Sequence, residues 1–347
     1  MRGKQMNEIQ TTGGLFTEDI KKTVLSNICK VFDCSDELIE NLVPVQAGLT
    51  NIVLSFKLKG GKYIYRHPGL GSEILVERGR ETITQKIVED AGIDTTLIAM
   101  DVDEGWRISR FIEHWDFDYN NLNDMVRAIM LLKKLHSAPC RVRWNFDVIK
   151  KAEKLKEQIQ PEKYGHFPDF YNIRDRIYLL AKLVENDAIK MCNIHGDARD
   201  VNFLINKDEI YLIDWEYGGY GDPGFDIGTY VCGGQHTLAD IDRILFTYYR
   251  RKPTNIQKRH FYAYIAISGW FFMHWTMLKL SKGQGVGSLK EQWYHFAKSM
   301  SIITSGKFEI ADSFEGVLLT SLDDEKLTRL IKLIFENEFF EPNSQNT

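Results

Sequence analysis

The sequence predicts an α+β fold in which a small antiparallel sheet precedes a larger, mainly helical part. Between residues 43 and 111, short runs rich in β-branched and aromatic residues alternate with glycine turns, a pattern typical of antiparallel strands. After residue 113, apolar residues recur mostly at helical spacing. Because 347 residues are too many for one core, we predict an N-terminal lobe over residues 1–113 and a C-terminal lobe over 114–347.

The N-terminal lobe is predicted to begin with helices. Residues 1–16 are polar and contain glycine, and we expect their start to be frayed. Thr17 can cap a helix, because Glu18 and Asp19 favour its positive end. One face of this helix is apolar and carries Ile20, Val24, Leu25, Ile28 and Val31. A second short helical piece follows Ser35.

Five strands should form the sheet, and one helix interrupts them. The predicted strands are Val43–Val45, Ile52–Leu58, Tyr63–Arg66, Leu97–Asp101 and Trp106–Phe111. The helix runs from about residue 73 to 91. We expect Ile83, Ile87 and Val88 to point inward from it.

The C-terminal lobe is predicted to consist of a series of helices. The first ends near His136, and its apolar residues are Leu122, Met125, Val126, Ile129, Leu132 and Leu135. Further helices are predicted near residues 145–160, 168–188, 238–251, 255–282, 288–304 and 323–337. The tail from 338 to 347 is expected to be disordered.

Composition excludes several classes of function. The net charge is -4 with acids and bases interspersed, so no nucleic-acid-binding surface is expected. Neither a signal peptide nor a membrane span is recognisable, which predicts a cytoplasmic protein. The five cysteines lack CxxC spacing, which favours reduced, packed thiols over a zinc site.

The stretch from Asn193 to Asp214 carries the most chemistry. A polar loop containing Asp197 and Asn202 leads into two short apolar runs joined by a turn at 206–208, and Asp214 follows the second run. This pattern predicts a loop and a β-hairpin that bring the three side chains near one another.

These residue types suit phosphoryl transfer to an alcohol. Such a reaction needs a carboxylate near the hydroxyl, oxygen ligands for magnesium, and cations for the phosphate charge. Asp197 precedes Asn202 by five residues, the separation between base and metal ligand in the protein-kinase catalytic loop, and Asp214 would be the second ligand. The alternative is that Asp197 and Asp200 only cap turns and that His195 is a core histidine.

The surrounding motifs resemble the choline/ethanolamine kinase family, within the larger group that includes aminoglycoside phosphotransferases. The resemblance rests on HGDARDVNFLI, LIDWEY and GFDIG, and it extends to AGLTN, YIYRHPG and LLKKLHSAP over roughly residues 43–300. The residues that match the family signature are His195, Asp197, Asn202, Asp214, Trp215, Glu216 and Tyr217.

The resemblance implies a protein-kinase-like two-lobe fold with ATP as donor. Asp197 would be the catalytic base, and Asn202 and Asp214 would hold Mg²⁺. Arg66 would bind the nucleotide phosphates with Glu81 as its partner, unless the two are unrelated surface charges. The remaining nucleotide contacts would come from the turn with Gly48, Thr50 and Asn51 and from the linker residues Arg110, Phe111 and Ile112.

The acceptor site should lie in the helical lobe. By resemblance, Phe272 and Trp275 would form an aromatic cage for a quaternary ammonium, with Tyr294 as a further member and Glu216 as the counter-charge. The alternative is that the aromatic stripe is core. Asp226, within GFDIG, is predicted to brace the catalytic loop by hydrogen bonds.

Two departures bear on the acceptor. Gly233-Gly234 stands where eukaryotic choline kinases carry an acid and a tryptophan, and Arg199 is unexpected beside a cation site. Even with these departures, we predict a choline kinase first and an ethanolamine kinase second. An aminoglycoside phosphotransferase and a non-catalytic nucleotide-binding protein are the further alternatives, and the sequence predicts no oligomeric state.

Overall fold

The computed structural model describes residues 9–11, 14–45, 51–68, 78–139, 142, 144–159 and 167–305. They fall into two compact units. The first comprises the described residues up to Phe117 together with Val201–Gly218, and the second comprises Asp118–Asp200 and the described residues from Gly219 on. The predicted order, an antiparallel sheet followed by a mainly helical part, is confirmed. The predicted boundary after residue 113 stays a prediction.

A hairpin and a capped helix open the first unit. Strands β1 (Ile9–Thr11) and β2 (Gly14–Phe16) pair antiparallel, which the sequence did not suggest. Helix α1 spans Glu18–Phe32, and its cap is Thr17, whose hydroxyl accepts the Ile20 amide at 3.3 Å. A 3-10 turn over Asp36–Leu38 supplies the short helical piece predicted after Ser35.

All five predicted strands are present in one antiparallel sheet. Its strands are β3 (Glu40–Val45), β4 (Ile52–Leu58), β5 (Gly61–His67), β6 (Leu97–Met100) and β7 (Arg107–Arg110), in the spatial order β3-β4-β5-β7-β6. Alternate residues of β4 are buried, as expected for a strand with one face on the core. Arg66 lies near the end of β5.

Helix α2 (Arg78–Asp90) buries a more polar face than the sequence suggested. Ile87 and Val88 are buried as predicted, whereas Ile83 is 48% exposed, so its inward placement was wrong. The buried face passes instead through Glu81, Thr84, Gln85 and Val88 at helical spacing. Glu81 is thereby turned towards the sheet side chains of its own unit.

The predicted hairpin is also present. Its strands, Phe203–Ile205 and Ile210–Leu212, pair antiparallel, and the Trp115 amide donates to the Ile205 carbonyl at 3.1 Å. The hairpin therefore groups with the sheet, although in the sequence it follows the first helices of the second unit.

The second unit contains seven described helices. They are α3 (Leu122–Ser137), α4 (Val148–Glu157), α5 (Phe170–Val184), α6 (Pro223–Gly233), α7 (Leu238–Tyr249), α8 (Asn255–Ser281) and α9 (Leu289–Ser305). Strands Cys192–Ile194 and Gly219–Gly221 pair beside them. No described helix is long and apolar enough to cross a membrane. The predicted helix 323–337 and the tail lie outside the described residues.

Two details of these helices differ from the sequence analysis. On α3, Leu122 and Val126 are exposed, because the buried stripe follows Met125, Ile129 and Leu132. Helix α6 was missed and its residues were placed in a loop, since three glycines within eleven residues conceal its pattern. The start of α6 could be predicted from the sequence, because it has an N-cap aspartate followed by proline. Asp222 accepts a hydrogen bond from the Gly224 amide, and Pro223 occupies the first turn.

Candidate active site

Arg66 joins three carboxylates of the first unit. Its Nη2 donates to Glu81 Oε1 at 2.5 Å, and its Nη1 donates to Asp214 and lies 3.7 Å from Glu216 Oε2. Arg66 is 8% exposed and Glu81 is 4% exposed. The predicted pairing of Arg66 with Glu81 is therefore present, and the alternative of unrelated surface charges was wrong.

The charged groups in this cluster shift one another's pKa values. Burial acts to lower the pKa of Arg66, but Glu81, Asp214 and Glu216 outweigh it and raise that pKa above its usual range. Burial and the neighbouring Asp214 carboxylate raise the pKa of Glu216 to about 8, against the opposing effects of Arg66 and of the Asn51 side chain. Asn51 Nδ2 donates to Glu216 Oε2 at 3.2 Å. Glu216 thus contacts Arg66 and Asn51, and its role towards an acceptor stays a prediction.

A buried acid supports this cluster from behind. Asp94 accepts hydrogen bonds from the Thr96 amide at 3.0 Å, from Trp215 Nε1 at 3.2 Å and from Arg107 Nη2 at 3.4 Å. Arg107 Nη1 also lies 3.7 Å from Glu81. Asp94 thereby holds Trp215, the neighbour of Asp214. Sequence reasoning missed Asp94, whose only signal is the local turn it forms with Thr96.

The ends of the hairpin hold Asn202 and Asp214. The Ile213 amide donates to the Asn202 carbonyl at 3.0 Å. Asp214 has a φ of 70°, in the left-handed region, which costs a non-glycine residue about 1–3 kcal/mol and is found often at functional sites. Its side chain is 31% exposed, whereas Asn202 is buried.

The donor types of these two residues fit magnesium. A carboxylate and an amide oxygen are the hard ligands that Mg²⁺ prefers, and phosphates and water normally complete its shell. Among the described residues, no group of three or more His, Cys, Asp or Glu side chains could hold a metal. A magnesium site with two protein ligands does not require a group of three such side chains.

Asp226 braces the catalytic loop in the second unit. Its carboxylate accepts the amides of His195 at 2.8 Å and Gly196 at 2.7 Å. His136 Nε2 lies 3.0 Å from the same carboxylate, and its Nδ1 lies 2.9 Å from Tyr248 Oη. Gly196 has a φ of 84°, which favours glycine. The predicted bracing by Asp226 is therefore present, and it fixes the backbone just before Asp197.

Asp197 is buried and paired with Arg199. Arg199 Nε lies 2.5 Å from Asp197 Oδ1, and its Nη2 lies 3.0 Å from Oδ2, a two-pronged ion pair. Burial acts to lower the pKa of Arg199, but Asp197 outweighs it and raises that pKa. His195 is buried, and its Nδ1 accepts the Asp197 amide at 3.1 Å, so the core-histidine alternative holds for His195.

The aromatic residues of α8 and α9 that could line an acceptor site, Phe272, Trp275 and Tyr294, are buried. Phe272 stacks on Trp293 with ring centroids 5.0 Å apart, and the Arg199 guanidinium carbon lies 5.7 Å from the Phe272 centroid. Lys279 Nζ lies 5.3 Å from the Trp275 ring centroid. Tyr294 donates to Asp169 Oδ1 at 2.7 Å. The stripe is thus buried, which fits the core alternative, and the cage roles of Phe272, Trp275 and Tyr294 stay predictions.

Some backbone groups of the predicted adenine linker already form hydrogen bonds within the protein. The Phe111 amide donates to the Lys62 carbonyl at 3.0 Å, and the Ile112 carbonyl lies 2.7 Å from His114 Nδ1. Arg110 is exposed and donates to the Thr95 carbonyl at 2.9 Å. The nucleotide contacts of these residues stay predictions. Gly48 and Thr50 lie outside the described residues.

Comparison with known proteins identifies relatives of this arrangement. The family model described as choline/ethanolamine kinase matches residues 42–268. Protein LicA of Haemophilus influenzae is 22% identical over 255 residues, which cover 69% of this chain and 74% of LicA.

Solved structures agree with this relationship. Choline kinase LicA of Streptococcus pneumoniae superposes with a TM-score of 0.68 at 20% identity, covering 82% of this chain and 99% of LicA. The aminoglycoside phosphotransferase APH(4)-Ia gives a TM-score of 0.57 at 12% identity, covering 81% of this chain and 98% of its own. The described units therefore have the kinase-like fold shared by these enzymes.

Proposed function

The chain belongs to the choline/ethanolamine kinase family, and from that premise we propose that it transfers a phosphoryl group from ATP to the hydroxyl of choline. Ethanolamine is the second candidate acceptor. The observation that carries phosphoryl transfer is the buried Arg66 guanidinium, which contacts both Glu81 and Asp214. A fixed cation beside a magnesium-type ligand suits the charge of a nucleotide phosphate.

In this proposal Asp197, Arg66 and the pair of Asn202 and Asp214 have separate tasks. Asp197 accepts the proton of the acceptor hydroxyl as its oxygen bonds to the γ-phosphorus and the bond to the β–γ bridging oxygen breaks, which releases ADP. Arg66 binds the phosphate oxygens. Asn202 and Asp214 hold magnesium, which supplies positive charge to the phosphates when bound.

The aromatic faces of α8 support an ammonium acceptor. The Phe272 ring faces the Arg199 guanidinium, and the Trp275 ring faces the Lys279 ammonium. A quaternary ammonium has no N–H to donate, so such ring faces together with a carboxylate are its natural partners. Ethanolamine would instead need hydrogen-bond acceptors around its ammonium.

An ADP-release assay across five acceptors tests the proposal. The acceptors are choline, ethanolamine, thiamine, methylthioribose and kanamycin, with Asp197→Asn as the inactive control. We expect the highest kcat/KM with choline, and ³¹P NMR should identify phosphocholine. Turnover with kanamycin alone would make the chain an aminoglycoside phosphotransferase. If choline and ethanolamine are both inert, the proposed function is wrong.

A further inference from the structure

Arg199 contacts both groups that the proposed function assigns to an amino alcohol. Its Nε and Nη2 take the two oxygens of Asp197, the proposed base. The same guanidinium lies 5.7 Å from the centroid of Phe272, a proposed cage residue. Arg199 therefore contacts both the carboxylate and the ring face that a hydroxylated ammonium would use.

These contacts are chemically equivalent to those of the acceptor. A guanidinium and an ammonium are both attracted by the negative face of an aromatic ring, and both pair with carboxylates. A hydroxyl that approaches Asp197 needs one of the oxygens that Arg199 now holds. Two cations at the same ring face would also repel each other.

The anchoring of Arg199 allows it to leave. It stands in a loop two residues from its partner, its side chain is 17% exposed, and its ion pair with Asp197 lies within that same loop. Its neighbour Asp200 is tied separately, because the Asp200 amide donates to Tyr119 Oη at 2.9 Å. The guanidinium can therefore turn towards solvent while the backbone of the loop keeps this contact.

We propose that Arg199 is a specificity-determining residue that competes with the acceptor, with its hydroxyl for Asp197 and with its ammonium for the Phe272 ring. This inference rests on the proposed function. An acceptor binds only if its own cation replaces that of Arg199, so the residue raises KM for small ammonium alcohols and rejects weakly held ones. Arg199 acts by occupying the place of the acceptor and takes no part in the transfer itself.

Two variants of Arg199 test the competition. Arg199→Gln removes the charge, and we expect KM for choline to fall about tenfold, equivalent to about 1.4 kcal/mol, with kcat and KM for ATP within about threefold. Arg199→Lys keeps a point charge without the planar fork, so its KM should lie between those of Gln and wild type. Arg243→Gln is the matched control, because Arg243 forms an exposed ion pair with Asp240 and should leave all constants unchanged.

A binding measurement separates this inference from the proposed function. Tetramethylammonium carries the cation without a hydroxyl, and calorimetry should show it binding about tenfold more tightly to Arg199→Gln than to wild type. That result would support the competition even if wild type failed to phosphorylate choline, whereas the acceptor panel alone decides the function. A collapse of kcat in both variants with KM for choline unchanged would overturn the inference, because Arg199 would then act on the phosphoryl group. A lowered Tm with unchanged KM and unchanged tetramethylammonium affinity would equally overturn it, as a structural role.

Discussion

Each unit pairs an arginine with an acid that is proposed to act in the reaction, and the two arginines are held differently. Arg66 lies on a strand, and its carboxylate neighbours come from a helix and from the segment after the hairpin. Arg199 lies on a loop, and its two-pronged ion pair is with Asp197, two residues away. Among the described residues, carboxylates from several elements hold the first arginine, whereas the carboxylate that pairs with the second comes from its own loop.

This difference indicates different tasks for the same side chain. Several carboxylates can keep Arg66 in place whatever binds, as a permanent phosphate-binding cation must be. A partner in its own loop leaves Arg199 exchangeable, which suits a residue that a substrate displaces. The comparison therefore predicts that variants on the Arg66 side change the ATP parameters and that variants on the Arg199 side change the acceptor parameters.

The largest effect is expected at Asp197, because the comparison fails if this acid is not the base. Asp197→Asn keeps the shape of the side chain and removes its proton-accepting charge, so kcat should fall ~10²–10⁴-fold. Steady-state ADP release measures the loss, and circular dichroism checks the fold. Asp200→Asn, in the same loop, is the control. Turnover within a few-fold of wild type would remove Asp197 from the mechanism.

The next effect tests whether Arg66 serves the nucleotide. Arg66→Lys retains the charge but cannot reach Glu81 and Asp214 together, so about one charged hydrogen bond is lost, and kcat/KM for ATP should fall roughly 10- to 100-fold. KM for choline should stay nearly constant. Lys57→Gln, exposed on the neighbouring strand β4, controls for altered surface charge. A selective rise in KM for choline would reverse the assignment of the two arginines.

The sequence predicted the fold well where local patterns decide it. A short run of strand-forming residues before a glycine turn identified β4, and the acidic first turn after Thr17 identified the start of α1. Helix α6 was missed because its stability comes from burial among neighbouring helices, which overrides the weak helix propensity of its glycines. The inward placement of Ile83 failed for a related reason, since α2 buries Glu81 to meet Arg66.

The candidate site was predictable as a set of residue types but not as a set of contacts. Motif spacing identified Asp197, Asn202 and Asp214, and resemblance added Arg66 and Glu81. The support from Asp94 links residues 121 positions apart, from Asp94 to Trp215, and no local pattern records such a contact. Arg199 was noticed as an unusual residue, yet its pairing with Asp197 depends on rotamers that only the structure gives.

Acid should weaken the fold through His236, a buried histidine of the second unit. His236 packs edge-on against Tyr119, whose hydroxyl accepts the Asp200 amide. Burial lowers the pKa of His236 to about 4, against the opposing charge of Asp240. The unfolded chain, with a histidine pKa of about 6.5, binds the proton first, so this stability is complete above pH ~6.5 and is lost as pH falls towards 4.

Urea unfolding at two pH values measures this contribution. Between pH 7 and pH 5, wild type should lose about 2 kcal/mol more unfolding free energy than His236→Phe. The control is His114→Phe, which replaces an exposed histidine and should follow wild type. Equal losses in wild type and His236→Phe would show that this histidine does not make the fold acid-sensitive.

The smallest effect separates packing from acceptor binding on α8. Trp275→Leu and Trp270→Leu each remove one buried indole from the same helix, so both should lower Tm. Only Trp275→Leu should raise KM for choline, by about 2- to 30-fold for one aromatic contact of about 0.5–2 kcal/mol, with KM for ATP unchanged. If both variants raise both KM values equally, Trp275 is core like Trp270. The competition with Arg199 would then involve the Phe272 ring without a second cage wall.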